Sequence, residues 1–182
     1  MLSLKFVAVG YGGMGKTCML IRYFRKEFPE IFVPTVLENE YRDVEFDGEM
    51  YNMTCWKAPG GHAPGDYDRL RPLSYLDTDA FLLLHAVNCK NNFDDIETYW
   101  WPELKHHCPG VPVILVGSKV DLRDENSLSF EEGRQMAEKI GAACYMECSA
   151  LSGEGVNEIF VQGVELSLFY INNLHRKKCI IL

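Results

Sequence analysis

The chain has 182 residues and a mass of 20.8 kDa, enough for one domain that buries about two thirds of the surface its unfolded form exposes. Hydrophobic residues make up 47% and charged residues 24%, with no biased tract or internal repeat, which excludes a disordered or fibrous chain. A formal net charge of −8 excludes a general nucleic-acid binder, because phosphate backbones are gripped by basic faces; the run Arg176-Lys177-Lys178 is the exception.

In chain order, Met1 to Lys5 lacks a charged leader ahead of an apolar run, so no signal peptide is expected. Leu4 to Gly10 is apolar and β-branched and ends in glycine, which predicts a buried strand. A glycine-rich turn follows, and Lys16 to Lys26 carries Met19, Leu20, Tyr23 and Phe24 at helical spacing. Tyr41 to Phe46 and Met50 to Trp56 flank Asp47-Gly48, the dipeptide of a tight hairpin turn, and predict two antiparallel strands. Ala80 to Val87 and Val111 to Gly117 are buried strands, each followed by helical periodicity. Their apolar runs are far too short to span a bilayer, so a cytoplasmic protein is expected. Phe130 to Ile140 predicts a helix, Ala143 to Glu147 a short strand, and Val156 to Leu174 a long closing helix.

Strands alternating with helices imply an α/β fold in three layers: a mostly parallel six-stranded sheet with one antiparallel edge strand, and about five helices. Seven cysteines, Cys18, Cys55, Cys89, Cys108, Cys144, Cys148 and Cys179, form no C-x-x-C pair, and a disulfide framework is not expected. His106-His107-Cys108 reads as a surface helix end rather than a metal site, because adjacent residues on a helix point apart.

Gly10-Tyr11-Gly12-Gly13-Met14-Gly15-Lys16-Thr17 matches G-x-x-x-x-G-K-T between a strand and a helix, the signature of a P-loop NTPase. Glycines let successive N–H groups turn inward on phosphate oxygens at the positive end of the helix. Gly12, Gly13, Met14, Gly15 and Cys18 are the expected backbone contacts, Lys16 reaches the β- and γ-phosphates, and Thr17 places its hydroxyl on Mg²⁺. The base is selected by Ser118-Lys119-Val120-Asp121 and Leu122. A carboxylate at Asp121 accepts from both N1–H and the exocyclic amine of guanine, a pair adenine lacks. Ser149 and Ala150, after Cys148, bring backbone N–H groups toward the guanine carbonyl.

Over nearly its whole length the chain resembles the Rho/Rac branch of the small GTPases. The resemblance is carried by Phe28-Pro29, Val33-Pro34-Thr35-Val36, the segments Tyr67 to Tyr75 and Trp101 to Pro109, and Glu147 to Leu151. It implies a G domain over 1–174 that binds GTP or GDP with Mg²⁺ and changes shape with the γ-phosphate. Thr35 would join Thr17 on the metal, Phe28 would pack near the base, and Phe32 to Tyr41 would form the first switch and effector surface. Effectors, exchange factors, GAP and GDI proteins are the implied partners, with actin cytoskeleton and membrane signalling the implied role and a monomer the implied state.

The sequence departs from that family in its second switch. Where Asp-x-x-Gly-Gln is expected, Trp56 is followed by Lys57-Ala58-Pro59-Gly60-Gly61-His62-Ala63-Pro64-Gly65-Asp66. The missing aspartate holds a water on Mg²⁺, and two unit charges about 5 Å apart at an effective dielectric of about 20 interact by roughly 3 kcal/mol, so Lys57 is expected to weaken Mg²⁺ dependence, to swing away, or to neutralise phosphate itself. Gly61 cannot orient a water as the family's glutamine does. Gly60 and His62 are the catalytic candidates: Pro59 to Tyr67 loosely resembles the Pro-Gly-His-Ala-Asp-Tyr segment of translational GTPases, with an exposed loop histidine as the alternative. Slow or absent turnover is expected. Only Asp124 to Ser129 precede the next helix, so the additional helix of Rho proteins is expected to be missing, and Phe32 replaces a tyrosine.

Cys179-Ile180-Ile181-Leu182 fits a C-a-a-X motif whose terminal leucine favours geranylgeranylation of Cys179. With Arg176 to Lys178 each adding about 1 kcal/mol at an anionic surface, the 175–182 tail predicts reversible attachment to the cytoplasmic face of membranes, the plasma membrane first. A nucleotide-dependent signalling switch is the leading reading. A pseudo-GTPase held mostly in one nucleotide state, and a different P-loop enzyme such as a nucleotide kinase, are its rivals.

Overall fold

The first strand, β1 (Leu2–Val9), is buried on both faces from Phe6 onward, with Phe6, Val7, Ala8 and Val9 fully excluded from solvent. Such a strand belongs at the centre of a parallel sheet covered by helices on both sides. The structure is a computed structural model that describes residues 1–29 and 39–179, with side chains in the last helix as far as residue 173. In it β1 pairs in parallel with both β3 (Glu49–Lys57) and β4 (Ala80–Ala86).

Outside these lie β2 (Asn39–Phe46), antiparallel to β3, and β5 (Val113–Ser118) and β6 (Cys144–Cys148), both parallel, in the order β2-β3-β1-β4-β5-β6. The expected six-stranded sheet with one antiparallel edge is therefore present. The β2–β3 turn has φ of 50° at Asp47 and 78° at Gly48, the left-handed pair that matches the twist of a two-residue hairpin.

Four helices are present among the described residues: α1 (Lys16–Arg25), α2 (Trp101–His107), α3 (Phe130–Ile140) and α4 (Val156–Cys179). About five were expected. The segment after the second switch makes only a 3₁₀ turn over Arg71–Ser74, with Pro72 in its first turn, where no N–H is needed, and Tyr67 ahead of it at a φ of 60°. One π turn, Ile96–Trp100, leads directly into α2, which places Pro102 in the first turn of that helix, where no N–H is needed. A Ser129–Glu132 capping box starts α3 and Gly141, at φ 76°, ends it. Between the turn Val120–Leu122 and Ser129 no further helix occurs. The last helix runs past Leu174, its expected end, to Cys179.

Tyr23 of α1 stacks on Phe160 of α4 at 3.8 Å between ring centroids, and Phe160 in turn stacks on Phe6 of β1 at 6.3 Å. This aromatic column ties two helices to the central strand. It leaves the carboxyl ends of β1, β3, β4 and β5 free to carry loops, which is where ligands bind in sheets of this kind. No described helix is long and apolar enough to cross a membrane.

Candidate P-loop site

Where β1 ends, the chain must pass close to β4. At Gly10, φ is 128° and an added Cβ would lie 2.4 Å from the Leu84 carbonyl oxygen, so only glycine fits. Gly13 and Gly15 also adopt left-handed φ values, 78° and 87°, and the loop closes over Lys16. Lys16 is 6% exposed, and its Nζ donates to the carbonyls of Gly10 at 2.5 Å and Tyr11 at 2.6 Å. Burial, then the positive charges of Lys57 and Arg71, push its pKa down to about 7. All three causes disfavour its charge, and a buried ammonium in that situation gains strongly from an anion. Met14 is held by Ser118, whose Oγ donates to the Met14 carbonyl at 2.7 Å, and by the Ala86 N–H, which reaches Met14 Sδ at 3.3 Å. Cys18 is half-buried on α1.

Lys57 lies at the end of β3, next to β1, and this register aims its side chain at the start of α1. It is 7% exposed, and Nζ donates to Thr17 Oγ1 at 3.2 Å. That hydroxyl is the oxygen expected on Mg²⁺. A divalent ion sits about 2.1 Å from its oxygen ligands, which would put it within about 5 Å of the ammonium. At an effective dielectric of about 20 the repulsion is roughly 7 kcal/mol. The described residues therefore do not fit a Mg²⁺ ion on Thr17 while Lys57 holds this position. No group of three or more His, Cys, Asp or Glu side chains able to hold a metal occurs among the described residues. Thr35 lies outside them.

The second-switch loop rests on the P-loop. Gly12 N–H donates to the Gly61 carbonyl at 2.6 Å, and a Cβ on Gly60 would lie 2.5 Å from the Gly10 carbonyl and 2.6 Å from Lys16 Nζ. The His62 ring is exposed yet adjacent: a Cβ on Gly12 would meet its Cε1 at 3.1 Å. Gly60 and His62 are thus both brought to the phosphate loop. The loop keeps its shape through Asp66, whose Oδ2 accepts from the N–H of His62 at 2.8 Å and of Ala63 at 3.2 Å; these bonds hold the Asp66 carboxyl below its ordinary pKa.

Sequence reasoning missed what anchors this loop. Arg71 is fully buried, and its guanidinium grips Glu103 of α2 with two bonds, Nε–Oε1 at 3.0 Å and Nη2–Oε2 at 2.8 Å. It also donates to the Asp66 carbonyl at 2.6 Å, the Tyr99 hydroxyl at 2.6 Å and the Asp68 carboxylate, and stacks 4.6 Å from the Trp100 ring centroid. The bidentate partner raises its pKa against the opposing effect of burial. Gly65 N–H reaches the same Tyr99 hydroxyl at 3.1 Å. Tyr11, inside the P-loop, donates to Asp95 at 2.8 Å and stacks on Tyr99. Both matched segments, Tyr67 to Tyr75 and Trp101 to Pro109, were visible, but nothing in the sequence pairs Arg71 with Glu103.

The base-side residues converge from β5 and β6. Lys119, at φ 62°, lays its stem against the P-loop, with Cε 3.9 Å from a Cβ built on Gly15. Asp121 is exposed at the surface and accepts from Ser149 Oγ at 2.5 Å, which joins the two base-side loops. Behind them Arg123 forks onto Glu147 at 2.9 and 2.5 Å, and Tyr145, wedged between Gly117 and Gly133, donates to the same carboxylate at 2.8 Å. Leu122 is exposed, Ala150 half-buried and Phe28 38% exposed. Cys179 is the last residue of α4, and its side chain lies outside the description.

A family model described as the Ras family matches residues 5–168. The match takes in the P-loop, the second-switch loop and both base-side loops, and stops short of the basic tail.

Proposed function

The chain belongs to the Ras family of small GTP-binding signalling switches, and from that premise we propose that it is a Rho-like member that holds GTP firmly and hydrolyses it slowly. Gly12 to Cys18 line the phosphates, Lys16 reaches the β- and γ-oxygens, and Asp121 with Ser118, Lys119, Leu122, Ser149 and Ala150 selects guanine, Phe28 flanking the base. The observation that carries slow turnover is the pair of glycines on the P-loop. Gly61 has no side chain to orient water, and its carbonyl is committed to Gly12 N–H at 2.6 Å. His62 is the nearby titratable group able to take over that task, through the ring it holds against Gly12.

The G domain spans 1–174 and the tail 175–182 carries the membrane anchor, a lipid on Cys179 assisted by Arg176 to Lys178, which places the protein reversibly on the cytoplasmic face of membranes. Effectors and regulators engage the switch segments, and the downstream role is in cytoskeletal and membrane signalling, as in the Rho/Rac proteins it resembles. A second reading, a switch held mostly in one nucleotide state, is favoured by the same Gly12–Gly61 bond, since a latched second switch responds weakly to the γ-phosphate. The test is to identify the nucleotide carried through purification and follow one turnover of bound GTP. Bound GDP with family-like rates refutes slow hydrolysis; retained GTP supports it, and ATP in place of guanine nucleotide refutes the base assignment.

A further inference from the structure

We propose that Arg123, Glu147 and Tyr145 are positioning residues that hold Asp121 in the orientation that reads guanine, so that base selectivity depends on a cluster behind the base-side loops. The inference rests on the reading of Asp121 as the base-selecting carboxylate and adds to it the device that aims it. Two cross-links join the segment after β5 to β6 and the loop that follows it. Ser149 Oγ donates to Asp121 Oδ1 at 2.5 Å, and the Arg123 guanidinium forks onto Glu147 at 2.9 and 2.5 Å. The partners run in opposite order: Arg123 stands two residues after Asp121, and Glu147 two residues before Ser149. A single hydrogen bond leaves a loop free to pivot about it, whereas a second, bidentate link close by fixes its rotation as well. Rotation matters here because a carboxylate accepts from N1–H and the exocyclic amine together only when it lies near the plane of the base edge.

The cluster is tied into the body of the fold. Glu147 accepts a third bond, from the Tyr145 hydroxyl at 2.8 Å, so the carboxylate that holds Arg123 is itself held. Space for the Tyr145 ring comes from two glycines. A Cβ on Gly117 of β5 would lie 2.2 Å from the Tyr145 hydroxyl oxygen, and one on Gly133 of α3 would lie 2.1 Å from Cζ. Gly133 stands inside α3, where glycine is disfavoured, and a larger residue there would evict the ring. Phe130 packs against the same ring at 5.2 Å between centroids. Burial and then the Glu147 carboxylate hold the Tyr145 hydroxyl well above its ordinary pKa, so it stays a donor. The Arg123 and Glu147 side chains are 33% and 14% exposed, which sets the pair apart from free surface ion pairs. At the other cross-link Ser149 Oγ accepts from the Ser152 N–H at 3.1 Å, which directs its proton at Asp121.

The experiment measures, with the full chain in one buffer, how well GTP and inosine triphosphate displace a fluorescent GDP analogue. The inosine nucleotide lacks the exocyclic amine, so the ratio of the two affinities reads the second Asp121 bond and cancels effects on the phosphate site. The wild type is expected to prefer GTP by about 10- to 100-fold, the contribution of one hydrogen bond to a charged group. Arg123→Ala is expected to cut that ratio by about tenfold, the scale on which a displaced positioning group is felt. Arg123→Lys, which keeps the charge without the fork, is expected to do the same. Tyr145→Phe keeps the ring between the two glycines and is expected to cut the ratio by about threefold. A merely structural role would weaken both nucleotides alike, so a wild-type ratio in any of these variants overturns the proposal. Tyr145→Phe keeps the test decisive if Arg123→Ala folds poorly. A wild type with no preference for GTP overturns the reading of Asp121 itself, a result that needs no variant and is thereby told apart.

Discussion

Gly12 N–H is bonded to the Gly61 carbonyl across 2.6 Å, so the phosphate loop and the second-switch loop are joined by a backbone contact in which neither residue offers a side chain. At Gly12 an added Cβ would meet that carbonyl oxygen at 2.9 Å and the His62 ring at 3.1 Å. Gly12→Ala should push the two loops apart, cost about 1–3 kcal/mol of stability through overpacking, and raise amide hydrogen exchange across residues 60–66 while the sheet remains protected. Unchanged exchange in that loop would show that the bond contributes little.

A glutamine at position 61 should not speed hydrolysis. Gly61 has a φ of 61°, and a Cβ there would lie 2.2 Å from the Asp66 Cβ, so Gly61→Gln is strained in backbone and in packing. The expected result is a stability loss of about 2–4 kcal/mol with single-turnover GTP hydrolysis no faster than wild type. His62→Ala, by contrast, leaves the loop's backbone bonds to Asp66 in place. It should slow whatever turnover remains by about 100-fold, a typical contribution of a positioned general base; wild-type turnover in this variant would reduce His62 to an exposed loop residue.

Arg71 is the interior anchor of the second switch, and its removal strands the Glu103 carboxylate. Arg71→Met is expected to cost about 3–5 kcal/mol in urea unfolding, the usual penalty for breaking one side of a buried pair. Arg71→Met with Glu103→Leu should recover part of the loss, because no unpaired charge is left behind. If the double substitution costs the sum of the two singles, the two side chains are not coupled.

His85 supplies a pH dependence of stability. It is 4% exposed and bonded through Nε2 to the Cys89 carbonyl at 2.5 Å, and burial lowers its pKa from the ordinary 6.5, outweighing the Cys89 carbonyl and Asp95, which raise it. A lowered histidine pKa means that the unfolded chain takes up its proton first as pH falls. The stability held at neutral pH by the uncharged ring is therefore lost on acidification below about 6.5. His85→Gln, which keeps a donor, should flatten that part of the urea-midpoint profile between about pH 7 and about pH 5 relative to wild type. Parallel profiles would remove His85 as the cause.

Much of the fold was legible because its signals are local. The apolar period marked β1, β4 and β5, Asp47-Gly48 marked the β2–β3 turn, and Phe130–Ile140 is the helix its spacing predicts. The P-loop was legible for a related reason: a loop that turns successive N–H groups inward needs glycine at fixed short spacings. The 3₁₀ turn over Arg71–Ser74 carries no periodic signal in the sequence, since it is held by side-chain anchoring that periodicity does not report.

The sequence by itself determined that the chain carries a P-loop, a guanine-type base motif and a second switch with its aspartate and glutamine missing. Whether Lys57 turns away or inward was decided by the tertiary structure alone. The pairing of β3 with β1 brings Lys57 to Thr17 from 40 residues away. The same holds for Arg71, whose charge reads as a surface group until α2 presents Glu103 to it from 32 residues on. A charged side chain has no periodic signature of burial, because its energy depends on which partner the fold brings within a few ångströms.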